Sequence, residues 1–117
     1  MIEIFGIGID IVNIQKFKKK PYEKNQSFYK GIFTDQEIDY CLKFSNYSEK
    51  FAGKFALKEA LIKSISKKLE LSKIETSHED SKPIVKILDF KQNYRFLASL
   101  SHEDNFAIAV VISERIK

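Results

Sequence analysis

Phe5-Gly6-Ile7-Gly8-Ile9-Asp10-Ile11-Val12 sets β-branched and aromatic residues, which favour extended chain, beside two glycines that leave alternate positions bare. Ile2 to Ile9 therefore reads as a strand along which another backbone or a ligand comes close, ending at Asp10. From Ile11 to about Lys20 the apolar residues Ile11, Ile14 and Phe17 recur at every third position while lysines crowd the end. That pattern predicts an amphipathic helix with a basic outer face, stopped by Pro21. Asp10 would then stand where strand gives way to helix. It reads either as the helix N-cap, for which aspartate is among the best residues, or as a functional carboxylate at a strand end.

Beyond this opening, Tyr22 to Tyr29 is ambiguous, a short helix at most, ended by Gly31. Thr34-Asp35-Gln36-Glu37 fits a capping box, so a helix begins there and runs through Ile38 and Leu42. After a polar break from Ser45 to Ser48, a long helix is predicted from about Ser48 to Leu69, uninterrupted by proline. Phe51, Phe55, Ile62, Ile65 and Leu69 share one stripe of it, which needs a large surface to pack on, most simply a sheet. Then the period changes. Lys73 to Thr76 and, after the turn Asp80-Ser81-Lys82-Pro83, Ile84 to Leu88 read as strands. Phe96 to Ser101 and Phe106 to Ser113 read as a hairpin around a four-residue loop, His102-Glu103-Asp104-Asn105. The expectation is one α+β domain over residues 1–117, an antiparallel sheet packed against a long helix.

Composition narrows the chemistry. With 117 residues, 44% hydrophobic and 31% charged, the chain is of globular type, and no apolar run approaches the roughly 20 residues of a membrane span. The start, Met1-Ile2-Glu3, shows no secretory pattern, so a cytoplasmic address is expected. One cysteine, Cys41, makes no internal disulfide, and with only His78 and His102 beside it a zinc cluster of Cys/His type is excluded. Any metal must be held by oxygens. The net charge of +4 is mild but gathers at Lys16, Lys18, Lys19 and Lys20 and again at Lys67 and Lys68, patches that suit an acidic protein or a phosphate-rich ligand. Phosphate-loop, dinucleotide, serine-hydrolase and zinc-protease motifs are missing.

Among the carboxylates, Glu59 lies four residues before Lys63, the spacing of an ordinary surface ion pair. At roughly 100° per residue, however, Ala52, Phe55, Ala56 and Ile62 fall within about 60° of it. A carboxylate bordering a packed face needs a cation, either Lys63 or a metal. His102, at a hairpin loop, reads as exposed, and the lysine run from Lys16 reads as a solvated face.

Two segments in combination say more: Phe5 to Val12, and Phe51-Ala52-Gly53-Lys54-Phe55-Ala56-Leu57-Lys58-Glu59-Ala60. The chain resembles the holo-acyl-carrier-protein synthase family of 4′-phosphopantetheinyl transferases. The first segment is similar to that family's G-[IV]-G-x-D-[IV] opening and the second to its R-F-A-x-K-E-A helix. Phe33-Thr34-Asp35-Gln36-Glu37 resembles its helix opening, Ser81-Lys82-Pro83 its G-K-P turn, and Ser99-Leu100-Ser101-His102 its S-[IL]-S-H segment.

The resemblance implies transfer of the phosphopantetheine arm of coenzyme A to a serine of apo-acyl carrier protein, as used in fatty acid biosynthesis, with release of adenosine 3′,5′-bisphosphate. It implies Mg²⁺ held by Asp10 and Glu59, with Lys63 neutralising developing charge and Glu59 the candidate acceptor of the serine proton. Coenzyme A contacts would fall to Lys54, Lys63, Ser66, Lys82, Pro83, Ser101 and His102. Lys16, Lys19 and Lys20 would dock the acidic carrier protein, and the assembly would be a homotrimer with sites between subunits, without nucleic acid or membrane partners. Lys54 stands where the family has arginine, and a lysine cannot grip a phosphate with two parallel hydrogen bonds. Ser64-Ile65-Ser66-Lys67-Lys68 replaces a glycine-rich loop, leaving phosphate contacts there to the Ser66 and Lys67 side chains. The competing expectations are a basic module that binds nucleic acid and a non-catalytic domain that docks acidic carrier proteins.

Overall fold

The computed structural model describes residues 2–89, 91 and 93–116. Strand β1 (Ile2–Asn13) pairs antiparallel with β5 (Phe106–Ile116), which pairs antiparallel with β4 (Tyr94–Glu103), giving a sheet of order β1-β5-β4. A separate hairpin joins β2 (Ile74–Glu79) to β3 (Lys82–Ile87). Asp80 and Ser81 both take positive φ in its two-residue turn, 50° and 68°, which matches the twist of the strands they join. Between β1 and the hairpin the chain forms α1 (Gln15–Lys18), a 3-10 turn (Tyr22–Lys24), α2 (Gln26–Lys30), α3 (Asp35–Cys41) and the 19-residue α4 (Tyr47–Ile65).

The α+β expectation and the long helix on an antiparallel sheet are as read, with corrected boundaries. β1 does not end at Asp10. Ile11, Val12 and Asn13 continue it, paired with Ile108, Ala107 and Phe106, so the ten-residue helix expected after Asp10 shrinks to the single turn of α1. Asp10 caps no helix; the N-cap of this turn is Ile14, which has no side-chain cap, and Asn13 just before it accepts on Oδ1 from the Gln15 amide at 3.0 Å. The helix α4 stops at Ile65, where Ser66 turns left-handed (φ 54°), well before Leu69. The β4–β5 turn is two residues, Asp104 and Asn105, and His102 lies in the strand. The capping box forms as expected, with the Glu37 amide donating to Thr34 Oγ1 and the Thr34 amide to Glu37 Oε1.

On β1 the pleat divides the residues sharply. Phe5, Ile7, Ile9 and Ile11 point away from α4 and are 59–66% exposed, while Gly6, Gly8, Asp10 and Val12 occupy the alternate positions of the opposite face. The glycines are there because the backbone of α4 rests on the strand. A methyl group at Gly8 would overlap the Ala60 carbonyl oxygen and come within 2.7 Å of the Ser64 amide nitrogen; one at Gly6 would overlap the Ser64 carbonyl. Ser113 of β5 donates to that same Ser64 carbonyl at 3.1 Å, fastening the last turn of the helix to the sheet.

The face of α4 that packs differs from the expected stripe. Phe55, Ile62 and Ile65 are only half-buried, whereas Ala52, Ala56, Leu57, Ala60 and Leu61 are buried, and so are Lys54 and Lys58. Lys58 is completely enclosed. Its ammonium pairs with Glu37 Oε1 at 2.5 Å and donates to the carbonyls of Ile32 (2.8 Å) and Leu71 (3.0 Å), using all three protons. The Glu37 Oε2 accepts from the Thr76 amide at 2.9 Å and the Thr76 hydroxyl at 2.6 Å. A core of Phe17, Tyr29, Phe33 and Phe51 fills the end of the molecule beyond, with the Tyr29 hydroxyl tied to the Lys20 carbonyl at 2.6 Å.

Gly8→Ala must push β1 away from α4, a loss of about 1–3 kcal/mol or more for overpacking without relief. Gly31→Ala, whose added methyl meets nothing nearer than 3.5 Å at an ordinary helical φ of −75°, should leave stability level or slightly higher. Urea midpoints of the two variants check this; a Gly8→Ala midpoint equal to that of the unsubstituted protein would refute the close-contact account.

Candidate functional site

Because Gly8 lets the helix touch the strand, Asp10, two residues on and on the same face, lies beside Glu59 and within reach of Lys63 of α4, which runs antiparallel to β1 there. Lys63 reaches back to it, donating from Nζ to Asp10 Oδ1 and to the Ile9 carbonyl, both at 3.0 Å. Of the two cations open to Glu59, Lys63 or a metal, Lys63 does not pair with it, since β1 offers that ammonium two acceptors at once. Glu59 keeps no ion pair or hydrogen bond among the described residues. With Asp10, Asn13, Lys16 and Phe55 it lines a cleft of about 450 Å³, in which the Lys16 ammonium lies 4.2 Å from the centre of the Phe55 ring. Among the described residues no three His, Cys, Asp or Glu side chains gather as a metal cage. Two carboxylates at one cleft nevertheless suit a hard cation that takes one or two carboxylates and completes its shell with phosphate oxygens and water, as Mg²⁺ does.

The other residues singled out in the sequence lie apart from this cleft. Lys54 and Lys63 are nine residues apart on α4, about 13 Å of helix rise. The Lys54 ammonium is buried and donates to the carbonyl and the hydroxyl of Thr76, each at 3.0 Å. Burial pulls the Lys54 and Lys58 ammonium groups below the usual lysine value, and Glu37 acts against that shift at both. His102 packs on the bare face of Gly53, where an added Cβ would stand 3.3 Å from its Nε2, and that nitrogen is 3.4 Å from the Glu49 carbonyl oxygen. Lys54 and His102 share a cavity with Tyr40, Lys50 and His78.

Pro83, opposite His78 in the β2–β3 ladder, borders this second group, with exposed Lys82 beside it. Ser101 sits on the sheet's outer face, paired with Ile108, and Ser66 is the exposed, left-handed end of α4. Lys16, Lys19 and Lys20 are exposed on and just after α1. Lys16 is at the cleft, and the Lys20 ammonium lies 5.0 Å from the Phe28 ring centre. The sequence reading passed over Phe55 as a cleft residue and over Lys50, Tyr40 and His78. The signal that points to part of the latter group is the spacing of Lys50, Lys54 and Lys58, four apart, which sets three lysines on one helical face.

The sequence pattern of the 4′-phosphopantetheinyl transferase superfamily matches residues 6–111. A holo-[acyl-carrier-protein] synthase of Thermodesulfovibrio yellowstonii is 41% identical over 116 residues, covering 96% of this chain and 98% of that one. Among solved structures, a holo-(acyl-carrier-protein) synthase from Bacillus anthracis in complex with CoA (3′,5′-ADP) superposes with a TM-score of 0.79 at 30% identity, covering 93% of this chain and 95% of that one. The Helicobacter pylori holo-[acyl-carrier-protein] synthase in complex with coenzyme A gives a TM-score of 0.76 at 34% identity, covering 92% of this chain and 98% of that one.

Proposed function

The chain belongs to the holo-[acyl-carrier-protein] synthases of the 4′-phosphopantetheinyl transferase superfamily, and from that membership we propose how its site transfers the phosphopantetheine arm of coenzyme A to a serine of apo-acyl carrier protein. The observation that carries the reading is the meeting of Asp10, Glu59 and Lys63 across the β1–α4 contact. Asp10 and Glu59 would hold Mg²⁺, which when bound supplies positive charge to the coenzyme A pyrophosphate.

The residues of the chain divide the remaining work. In the transfer the serine oxygen forms a bond to the β-phosphorus, the one bearing pantetheine. The bond from that phosphorus to the bridging oxygen breaks, and adenosine 3′,5′-bisphosphate departs with the electron pair. Two of the three Lys63 ammonium N–H groups donate to Asp10 Oδ1 and the Ile9 carbonyl, and the third is free to donate to a phosphate oxygen as charge grows there. Glu59, with no internal partner, accepts the serine proton. Lys16 over Phe55 forms the cleft's lip, and with Lys19 and Lys20 it offers the acidic carrier protein a basic landing surface, an attraction that weakens with salt. Lys54, Lys82, Pro83 and His102 would serve the nucleotide end of coenzyme A, and Ser66 and Ser101 would add contacts from other surfaces.

That scatter of residues along α4 and over both faces of the sheet supports a site completed between copies. Phe5, Ile7, Ile9 and Ile11 form an exposed apolar strip, continued on β5 by Ile112, Val110 and Ile108, the ladder partners of the three isoleucines. A strip of this kind suits a subunit interface, and we assign it to a homotrimer of a cytoplasmic enzyme. Light scattering should give three chain masses, and Ile9→Lys should give one; an unsubstituted protein of one chain mass would refute the assembly.

The reaction is tested by intact mass of an apo-acyl carrier protein incubated with the protein, coenzyme A and Mg²⁺. The expected result is the gain of one phosphopantetheine arm, lost on chelation and reduced at least about a hundredfold in rate by Asp10→Ala, the scale of about 3 kcal/mol of transition-state stabilisation. Unchanged transfer by Asp10→Ala would remove Asp10 from the mechanism.

A further inference from the structure

The cleft between β1 and α4 has two ends of opposite charge. At one stand Asp10 and Glu59, with Lys63 against Asp10. At the other, the Lys16 ammonium of α1 lies over the ring of Phe55, one helical turn from Glu59. Asn13 lines the same cleft from the last position of β1, three residues and about 10 Å of extended chain beyond Asp10 and three residues before Lys16. A substrate that comes in over the basic surface of α1 therefore meets Asn13 on its way to the phosphate end.

The Asn13 side chain is exposed, yet its amide is oriented. Its Oδ1 accepts from the Gln15 amide at 3.0 Å, which leaves both N–H groups of Nδ2 without an acceptor among the described residues. The main chain beside it is turned the same way. β1 is an edge strand, and the register that pairs Asp10 with Ala109 and Val12 with Ala107 continues to Ile14, whose amide donates to the Asn105 carbonyl at 2.7 Å. The even residues thus direct their main-chain groups to β5 and the odd ones to the free edge, as the Ile9 carbonyl shows by accepting from Lys63. The amide and carbonyl of Ile11 stand on that edge between Asp10 and Asn13, so this wall of the cleft offers hydrogen bonds to an extended segment.

We propose that Asn13 positions the protein substrate: its Nδ2 donates to a main-chain carbonyl beside the acceptor serine and holds that serine toward the β-phosphorus. The inference rests on the transferase reading above, in which the carrier protein lands on α1. The phosphates have Lys63 at the far end of the cleft, so the partner left for a neutral donor at the near end is the carrier. The charge of this side chain also matters. A carboxylate in its place would still accept from the Gln15 amide, but it would add a third negative charge to a cleft that must admit an acidic protein.

Two variants separate the donor from the fold, because both keep an oxygen for the Gln15 amide: Asn13→Ser, neutral but too short to reach the carrier, and Asn13→Asp, equal in size but without the N–H groups. Urea midpoints of both should match that of the unsubstituted protein. In Asn13→Ser the KM for apo-acyl carrier protein should rise about three- to tenfold, the scale of one neutral hydrogen bond, with the KM for coenzyme A unchanged. Asn13→Asp should raise it further at low salt. The Asn13→Ser deficit should persist at high salt, whereas that of Lys16→Ala, which removes a steering charge, should shrink. In the unsubstituted protein, without metal or coenzyme A, the NMR signals of the Asn13 side-chain N–H groups should move on adding apo-acyl carrier protein. A carrier KM unchanged in Asn13→Ser, a coenzyme A KM raised by the same factor, or Asn13 signals unmoved by the carrier would each overturn the proposal while leaving arm transfer intact. Absence of arm transfer by the unsubstituted protein would instead bring down the reading on which it rests.

Discussion

There is no room for a side chain between β1 and the last turns of α4. With Gly8 against the Ala60 carbonyl and Gly6 against the Ser64 carbonyl, strand and helix backbones touch, and every functional distance follows from that contact. Asp10 is two residues beyond Gly8 on the same face of the strand, and Lys63 has its Cβ beside Gly8, where an added methyl would stand 2.9 Å from it, so the contact sets the Lys63 ammonium within 3.0 Å of Asp10. A larger residue at either glycine would separate the elements, and the two carboxylates of the cleft, which belong to different elements, would part with them. The glycines thus act on chemistry through distance.

The opposite side of α4 is held by a different force. Lys58, adjacent in sequence to Glu59, points inward to Glu37 and two carbonyls while Glu59 points to the cleft. Burying two charges costs several kcal/mol, and their attraction and hydrogen bonds offset this only because every proton and both carboxylate oxygens are used. Removing either partner would strand the other in the core, a loss of about 3–5 kcal/mol. Such a pair adds little net stability but permits few alternative placements. It ties α4 to the capping box of α3 and, through Thr76, to β2, so that the helix is fixed in rotation on one side and in height on the other.

How far the residues alone disclose this is uneven, and the reasons are physical. Alternating isoleucine and glycine in Phe5 to Val12 disclosed both the strand and the close approach. Thr34 with Glu37 disclosed the start of α3, because a capping box is a local interaction complete within four residues. The end of β1 was hidden by coincidence. Ile11, Ile14 and Phe17 have helical spacing, yet Ile11 faces outward on the strand while Ile14 and Phe17 are buried in the turn after it. The spacing offers Lys63 a neighbour four residues away on its own helix as one alternative, whereas its partner lies 53 residues away on β1, a pairing that no local rule contains. The burial of Lys54 and Lys58 was equally invisible, since lysine is ordinarily exposed and its partners Thr76 and Glu37 are distant in the chain. Asp10, Glu59 and Lys63 were nonetheless singled out, by the family resemblance of the segments that hold them more than by their spacing.

In the proposed mechanism β1 and α4 place two carboxylates around one divalent cation. That placement is tested most directly by a crystal structure with coenzyme A and Mn²⁺, using the anomalous signal to place the metal. The expected result is one metal peak bonded to both Asp10 and Glu59 and to pyrophosphate oxygens, with the Lys63 ammonium against a phosphate. A metal held by only one of the two carboxylates, or coenzyme A bound with its pyrophosphate away from the Asp10–Glu59 cleft, would contradict it.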